Sequence, residues 1–237
     1  AVTQRRVREL VSGKLDADKT RFLHQRIAQA IEEIEGETSA RDESLCEVLA
    51  HHWLEAGNGA GFLRYAALAA ASLKRGGNFE LATAYHRRIV EGMPCEATAR
   101  KIQSLMRLSE MHELLWNLAQ SRADLDSILS LGRDLLKPAD RAAILRRIAS
   151  LEIARNRSAM ALEALGEARR GLAAAGDPTT RRSIDAPEAW AAWLEGHHER
   201  SAAALERAEE ALRGSSPVQP RDKALAAGAM HHVANLH

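Results

Sequence analysis

Three pairs of adjacent histidines have the chemistry to bind a metal ion. They are His51-His52, His197-His198 and His231-His232. Glu47, His51 and Glu55 also follow one another at intervals of four residues, which places them on one face of a helix. Structural zinc, however, prefers four convergent ligands, often cysteines, and the His-Glu-x-x-His pattern of a catalytic zinc helix is absent from this sequence. We therefore favour a packing or solvated role for these histidines, and we predict no metal and no cofactor.

The sequence contains no motif for covalent catalysis or for phosphate binding. Cys46 and Cys95 have neither metal-type nor redox-type spacing, which suits reduced thiols in a cytosolic protein. The glycine-rich segment 57–61 lacks the Gly-Lys-Ser/Thr ending of a phosphate loop, and we interpret it as a turn between helices. No serine lies in a Gly-x-Ser-x-Gly elbow. We predict that the chain is not an enzyme.

Paired arginines raise the question of an anionic partner. The pairs are Arg5-Arg6, Arg87-Arg88, Arg146-Arg147, Arg169-Arg170 and Arg181-Arg182. They could form a basic stripe for phosphate or an acidic peptide, but Asp and Glu are interleaved with them throughout. The whole chain carries 33 Lys and Arg against 32 Asp and Glu, a net charge of +1. We therefore expect most of these arginines to lie on a solvated face, and we predict no nucleic acid partner.

The four tryptophans are candidates either for a binding groove or for the core. They are Trp53, Trp116, Trp190 and Trp193. Each lies in an apolar pattern of helical spacing, so we expect core packing for most of them, with one exposed.

Composition favours helices that do not cross a membrane. Apolar residues make up 46% of the 237 residues and are mostly Ala and Leu, whereas aromatic residues make up only 4%. No apolar run approaches the roughly 20 residues that a membrane span needs, and residues 1–12 are too charged for a signal peptide. We predict a soluble, cytoplasmic protein with no membrane partner.

A repeat of about forty residues organises the chain. Residues 77–79 form a turn, which is followed by the small residue Ala82. Comparable segments place Ala161 and Ser201 forty residues apart, and an irregular middle copy lies between residues 119 and 130, with Ala123 as its small residue. Apolar residues at helical spacing precede each copy, at 62–75, 97–116, 138–155 and 186–195. No segment alternates as a strand does, so the predicted fold class is all-α: an α-α superhelix of stacked antiparallel helix pairs.

The segment from Gly77 to Pro94 resembles the second helix of a tetratricopeptide (TPR) repeat. Gly77, Ala82, Tyr85 and Pro94 stand for its turn, its packing positions and its end. The resemblance implies a TPR-like solenoid of about four helix pairs plus a truncated last helix at 58–237, preceded by a helical segment at 1–57, as one continuous domain. It implies a scaffold that binds a peptide or partner domain on its concave face. The implied partner-binding residues are Arg64, Ala67, Ala71, Lys74, Arg146 and Trp190.

A second resemblance covers residues 21–71, which contain Leu23-His24-Gln25-Arg26-Ile27-Ala28 and Leu49-Ala50-His51-His52-Trp53. This stretch is similar to the helical region after the ATPase module of bacterial STAND-type signalling ATPases, often fused to a kinase or a LuxR-type DNA-binding domain. The resemblance implies a sensor fragment of a larger bacterial regulatory protein, whose partner is another protein or a domain of its own parent chain.

Two alternatives stay open. One is a helical enzyme, metal-dependent or otherwise, whose His, Glu and Trp side chains line a pocket between helices. The other is a structural repeat that self-associates through an open repeat end after Pro220.

Overall fold

Helices account for every regular element that the structure describes, which confirms the all-α prediction. The computed structural model describes residues 16–36, 42–94, 98–175 and 183–213. The ten helices in these ranges are α1 (Ala17–Glu35), α2 (Glu43–Glu55), α3 (Gly59–Arg75), α4 (Phe79–Gly92), α5 (Thr98–Leu114), α6 (Leu118–Leu131), α7 (Pro138–Ala154), α8 (Ser158–Ala175), α9 (Asp185–Leu194) and α10 (His198–Arg213). The sequence features that lie outside the described residues are residues 1–12, Cys95, Arg181-Arg182, Pro220 and His231-His232.

Side-chain caps begin several of these helices. Asp16, Asp42, Asn58 and Asn78 precede α1 to α4, and each accepts a hydrogen bond from a backbone N–H of the first turn. Such caps satisfy N–H groups that have no partner inside the helix. Pro138 begins α7, where its fixed φ and missing N–H are tolerated. Local sequence therefore determines where these helices begin.

Helix-ending turns repeat along the chain with one hydrogen-bond pattern. In each, a backbone N–H reaches the carbonyl five residues back: Asn58 to Trp53, Asn78 to Leu73, Asn117 to His112, Arg157 to Glu152 and His197 to Ala192, at 2.7 to 3.0 Å. The residue before each donor has a left-handed backbone: Gly57, Gly77, Trp116, Asn156 and Gly196. This is the Schellman ending of a helix, for which glycine is the usual residue. The last four turns follow at intervals of 39, 40 and 40 residues. The backbone conformation therefore repeats with the period of about forty residues that the sequence predicted.

The spacing of about forty residues also shows which residue is the small packing residue of the middle copy. Ser121 is fully buried and lies 39 residues after the buried Ala82 and 40 before the buried Ala161, whereas Ala123 is exposed. The prediction of Ala123 as the small packing residue was therefore wrong by two positions. The error arose because Trp116, rather than a glycine, occupies the left-handed position of this turn.

Trp116 carries a strain that glycine would relieve. Its φ is 59° and its side chain is 74% exposed. A left-handed backbone costs a residue with a Cβ roughly 1–2 kcal/mol, so we expect Trp116→Gly to raise the free energy of unfolding by about 0.5–1 kcal/mol, measured by urea denaturation. Trp116→Ala is the matched control, since it removes the indole but keeps the strained backbone. Equal stability of the two variants would contradict this account.

The described residues group into two compact units, divided between Asn117 and Leu118. Unit 1 contains α1 to α5 and unit 2 contains α6 to α10. The proposed boundary between residues 57 and 58 stays a prediction. In unit 1, alanines of α2, α3 and α4 are fully buried beside larger side chains, and they allow close helix approach. These residues are Ala50, Ala66, Ala69, Ala70 and Ala82 around Trp53, Phe62, Tyr65 and Tyr85.

Gly61 lies against the Trp53 ring, so a substitution at Gly61 tests this packing. A Cβ at Gly61 would lie 2.5 Å from Trp53 Cδ2. The Trp53 ring cannot easily move, because it is 5% exposed and its Nε1 donates to Glu32 Oε1 at 3.1 Å. We expect Gly61→Ala to lower the free energy of unfolding by about 1–3 kcal/mol, measured by thermal and urea denaturation. Gly59→Ala, two residues away with nothing within 4 Å of its Cβ position, should cost nothing, and an equal loss in both variants would refute the contact.

Unit 2 contains a buried ion cluster at the start of α9. Asp185 and Glu188 have side chains only 5% and 8% exposed. Arg169 of α8 and Arg200 and Arg207 of α10 donate to them. Arg169 belongs to one of the arginine pairs, most of which we expected on a solvated face, and it is an exception to that expectation. Its side chain, 27% exposed, instead joins α8 to α9.

Candidate functional site

A groove in unit 1 lies between α3, α4 and α5. Its cavity measures about 550 Å³. We call it the α3–α5 groove. Its apolar lining residues are Leu63, Ala67, Leu68 and Ala71 from α3 and Ile89 from α4, with Met93 just after α4. Ala67 and Ala71, both predicted as partner-binding residues, therefore lie in a cavity large enough for several side chains.

The α5 wall of the groove is polar and cationic. It presents Arg100, Gln103, Ser104 and Arg107. These positions differ by three, four and seven residues, so the side chains share one face of the helix. Arg100 and Arg107 are exposed, and neither forms an ion pair with any residue that the structure describes. Two guanidinium groups thus face the groove with their charge uncompensated by described side chains.

His86 of α4 also lines the groove, and it is buried there. It is 4% exposed, and its Nδ1 has no hydrogen-bond partner within the described part of the chain. Burial lowers the pKa of His86 to about 4, with help from the charges of Arg107 and Lys74 and against the charge of Glu110. The imidazole is therefore neutral at pH 7, when one ring nitrogen donates and the other accepts. Buried polar groups are nearly always paired, so this nitrogen is an exception.

Lys74, another predicted partner-binding residue, forms an ion pair beside the groove. Its Nζ lies 2.6 Å from Glu110 Oε1, which links α3 to α5. Lys74 does not line the cavity. The pair cancels its own charge, so it adds nothing to the net charge that Arg100 and Arg107 give to the groove.

Arg64 also makes an internal contact instead of lining the groove. Its guanidinium donates to Glu32 Oε1 at 3.1 Å, and the same oxygen accepts from Trp53 Nε1 and from Tyr65 Oη at 2.7 Å. The Arg64 guanidinium carbon also lies 5.8 Å from the centre of the Tyr65 ring. Glu32 thereby joins α1 to α2 and α3. The Arg64 side chain is nevertheless 60% exposed, so it remains accessible at its outer face.

The two remaining predicted residues, Arg146 and Trp190, lie in unit 2. Both are half-buried, on α7 and α9. Trp190 stacks on Trp193, with ring centres 5.2 Å apart and planes 17° from parallel. Trp53 is in the core and Trp116 is the exposed tryptophan. Binding by Arg64, Ala67, Ala71, Lys74, Arg146 and Trp190 stays a prediction.

Three histidines of α1 and α2 lie side by side. His51 packs against His24 and His52, with ring centres 5.7 and 5.4 Å apart, and His24 Nδ1 lies 2.8 Å from His52 Nδ1. Burial lowers the pKa of His52, and the neighbouring His24 and His51 lower it further. Within the described ranges, no group of three or more His, Cys, Asp or Glu side chains has a geometry that could hold a metal. Cys46 is a buried, reduced cysteine whose pKa is raised by burial and by Asp42.

A second cavity in unit 1, of about 540 Å³, is a weaker candidate. Arg88 and Glu91 both line it, beside apolar residues and Gly57 and Gly59. The opposite charges offset each other, and no buried unpaired polar atom among the described residues belongs to this lining. The α3–α5 groove is therefore the better candidate site.

Sequence reasoning missed the polar half of the α3–α5 groove. The signal was present for the α5 residues, since Arg100, Gln103, Ser104 and Arg107 stand at one-face spacing inside a predicted first helix. His86 gave no signal, because a histidine in an amphipathic helix does not reveal whether its ring will be paired.

Comparison with known proteins identifies the fold. No family model matches the chain, and no curated protein matches it. Among solved structures, the TPR-like repeats of a kinesin light chain-type protein from Podosopora anserina match with a TM-score of 0.59 at 14% identity, covering 83% of this chain and 96% of that one. A single-substitution variant of that protein matches with a TM-score of 0.58 at 14% identity, covering 81% and 92% of the two chains. BtubC (BKLC) from P. vanneervenii matches with a TM-score of 0.56 at 13% identity, covering 87% and 96%.

At these identities the likeness concerns the fold alone. The prediction of a TPR-like fold built from antiparallel helix pairs is confirmed. None of the described helices has the length and apolarity that crossing a bilayer would require.

Proposed function

We propose that this chain is a protein-interaction scaffold without catalytic activity, and that its α3–α5 groove holds a segment of a partner protein. TPR-like helix pairs bury their apolar faces by stacking and leave surfaces between helices for a ligand. The observation that carries the proposal is a cavity of about 550 Å³ that combines small and apolar residues of α3 and α4 with a polar face of α5.

The small side chains of Ala67 and Ala71 support this location. They leave room on the α3 side of the groove, where larger residues would fill the cavity. Leu63, Leu68 and Ile89 supply apolar area for a partner side chain to bury. Arg64 and Lys74 are proposed as secondary contacts beside the groove, since each keeps part of its side chain accessible. Arg146 and Trp190 of unit 2 are proposed as separate partner contacts.

The wider context of the scaffold rests on the resemblance of residues 21–71 to the segment after the ATPase module of STAND-type proteins. We infer that the chain works in the cytoplasm as a sensor region of a larger bacterial signalling protein. Its partner would then be a separate protein or a domain of the same parent chain. Either would reach the groove as a polypeptide segment.

Blocking the groove tests the proposal. We expect Ala67→Trp combined with Ala71→Trp to abolish capture of partner proteins from host lysate, read by quantitative mass spectrometry, because two indoles would fill the cavity. Ala84→Trp is the matched control, since Ala84 is exposed on α4 and does not line the groove. The proposal fails if the blocked variant and the control retain the same partners as the unmodified chain.

A further inference from the structure

We propose that α1 is a dimerisation surface, through which two copies of this chain pair their α1 helices in antiparallel orientation about a two-fold axis. The surface consists of Leu23, Ile27, Ala30 and Ile34, and we call it the α1 face. None of these residues lines the α3–α5 groove, so the inference goes beyond the proposed function. It also differs from self-association through a repeat end after Pro220, which lies outside the described residues.

The α1 face is apolar and exposed. Its residues follow at intervals of four, three and four, so they form one stripe along the helix. The exposed fractions of Leu23, Ile27 and Ile34 are 43%, 41% and 79%, and Ala30 is exposed as well. α1 packs against α2 through another side, on which Ala28 is fully buried. Exposed apolar stripes of this kind mark sites of protein interaction.

The order of the side chains in the stripe fits an antiparallel pair of identical helices. If the two-fold axis passes between residues 28 and 29, Leu23 of each copy lies opposite Ile34 of the other. Ile27 of each copy then lies opposite Ala30 of the other. A large side chain opposite a small one lets the two helices approach closely in the middle of the contact.

Charge complementarity favours a second copy as the occupant of the α1 face. Arg26 and Glu33 are exposed and flank the stripe on the same side, two helical turns apart. About 10 Å of helix separates them, so they do not pair within one chain. Neither forms an ion pair with any residue that the structure describes. In the antiparallel pair, Arg26 of each copy lies beside Glu33 of the other, which gives two reciprocal ion pairs.

A parallel pair of α1 helices has no such complementarity. It would bring Arg26 of one copy beside Ile31 of the other. Ile31 is half-buried against the core of unit 1, on the side of α1 that faces away from the stripe's charged flank. The antiparallel orientation is therefore the one in which both charged residues find a partner.

The length of the contact makes the dimer weak. α1 has 19 residues, and the stripe from Leu23 to Ile34 covers about 17 Å of its axis. A contact between two single helices of this length is smaller than the roughly 1,200–2,000 Å² of a stable interface. We therefore expect a dissociation constant in the micromolar range.

Sedimentation equilibrium of the full chain tests the inference. The unmodified chain should form dimers as its concentration rises through the micromolar range. Arg26→Glu and Glu33→Arg each place like charges at both ion-pair positions, so each should weaken the dimer at least about tenfold. Mixed in equal amounts, the two variants should associate as a heterodimer, because both positions then carry opposite charges.

The matched controls are Arg21→Glu and Glu35→Arg. They change the charge by the same amounts at exposed positions of α1 that lie away from the stripe. Each control alone should dimerise as the unmodified chain does, and a mixture of the two should gain nothing. Equal effects of the controls would overturn the two reciprocal ion pairs, since net charge alone would then explain the result.

A substitution in the stripe tests its apolar part. Ile34→Asp should abolish dimerisation, and thermal denaturation should show an unchanged fold because Ile34 is 79% exposed. Dimers that persist in Ile34→Asp and in both charge reversals would overturn the α1 face and assign self-association to another surface. A full chain that stays monomeric up to millimolar concentration would also overturn the proposal. Neither outcome affects the α3–α5 groove, whose test depends on Ala67 and Ala71.

Discussion

Replacing Glu188 by glutamine is expected to lower the free energy of unfolding by about 3 kcal/mol. Glu188 is buried, and it accepts from Arg200 Nε and Nη2 at 3.0 and 2.9 Å, from Arg207 at 3.3 Å, and from Arg169. Burial alone would raise the pKa of Glu188, but the hydrogen bonds from Arg200 and the charge of Arg169 bring it below its ordinary value. The glutamine amide would keep the shape and leave three arginines around a single carboxylate. The figure is at the low end for buried ion pairs because Arg200 and Arg207 are 46% and 42% exposed.

Urea denaturation followed by circular dichroism measures this loss, and hydrogen exchange locates it in α8 to α10. The matched control is Glu167→Gln, which removes the carboxylate of an exposed pair with Arg141 at 2.7 Å. An exposed pair of this kind contributes about 0–1 kcal/mol. If Glu188→Gln costs no more than Glu167→Gln, the cluster does not hold the three helices together.

Acidification is expected to destabilise unit 1 through His86. The unfolded chain binds a proton to this histidine near pH 6.5, whereas the folded chain does so only near the lowered pKa of about 4. Between these values the unfolded state binds more protons, so stability is fully present above pH 6.5 and is lost as the pH falls. The loss between pH 7 and pH 4 should be about 3 kcal/mol for this group. His52, whose pKa is also lowered, adds a change of the same sign.

Urea denaturation at a series of pH values, with hydrogen exchange in α3 to α5 as the local readout, measures this dependence. His86→Phe removes the titrating group and keeps an aromatic ring at the site, so its stability should change less between pH 6.5 and pH 4. His197→Asn, at an exposed histidine, should leave the dependence intact. Glu188 acts in a separate window, because its lowered pKa affects stability only below about pH 4.5. Identical pH profiles for His86→Phe and the unmodified chain would rule out His86 as the cause.

Helix positions were predictable because they depend on residues close together in the chain. The predicted first helices at 62–75, 97–116, 138–155 and 186–195 correspond to α3, α5, α7 and α9 within three residues at each end. Apolar spacing, capping residues and glycine turns are all local signals. The wrong prediction at Ala123 arose where such a local signal was missing. Trp116 occupies the left-handed position of that turn, and a tryptophan does not indicate that a helix ends there.

The lining of the candidate site was only partly predictable. Ala67 and Ala71 were candidates because of the resemblance to a TPR repeat, and both line the α3–α5 groove, while their role in binding stays a prediction. Arg64 and Lys74 stand on the same helix at plausible spacing, but their partners are Glu32 and Glu110, which lie 32 and 36 residues away in the chain. No local pattern shows which carboxylate will come within reach of a given cation.

The sequence by itself determined that the chain is helical, where the glycine-containing turns fall, and that the turns repeat about every forty residues. These features follow from backbone geometry and periodic burial, both of which act over a few residues. Only the tertiary structure decided which polar groups meet. Arg169 reaches Asp185, and His86 becomes buried without a partner for its Nδ1, because packing between helices sets the distance and the solvent exposure of each group. The charge of the α3–α5 groove depends on those distances and therefore appears only once the helices are packed.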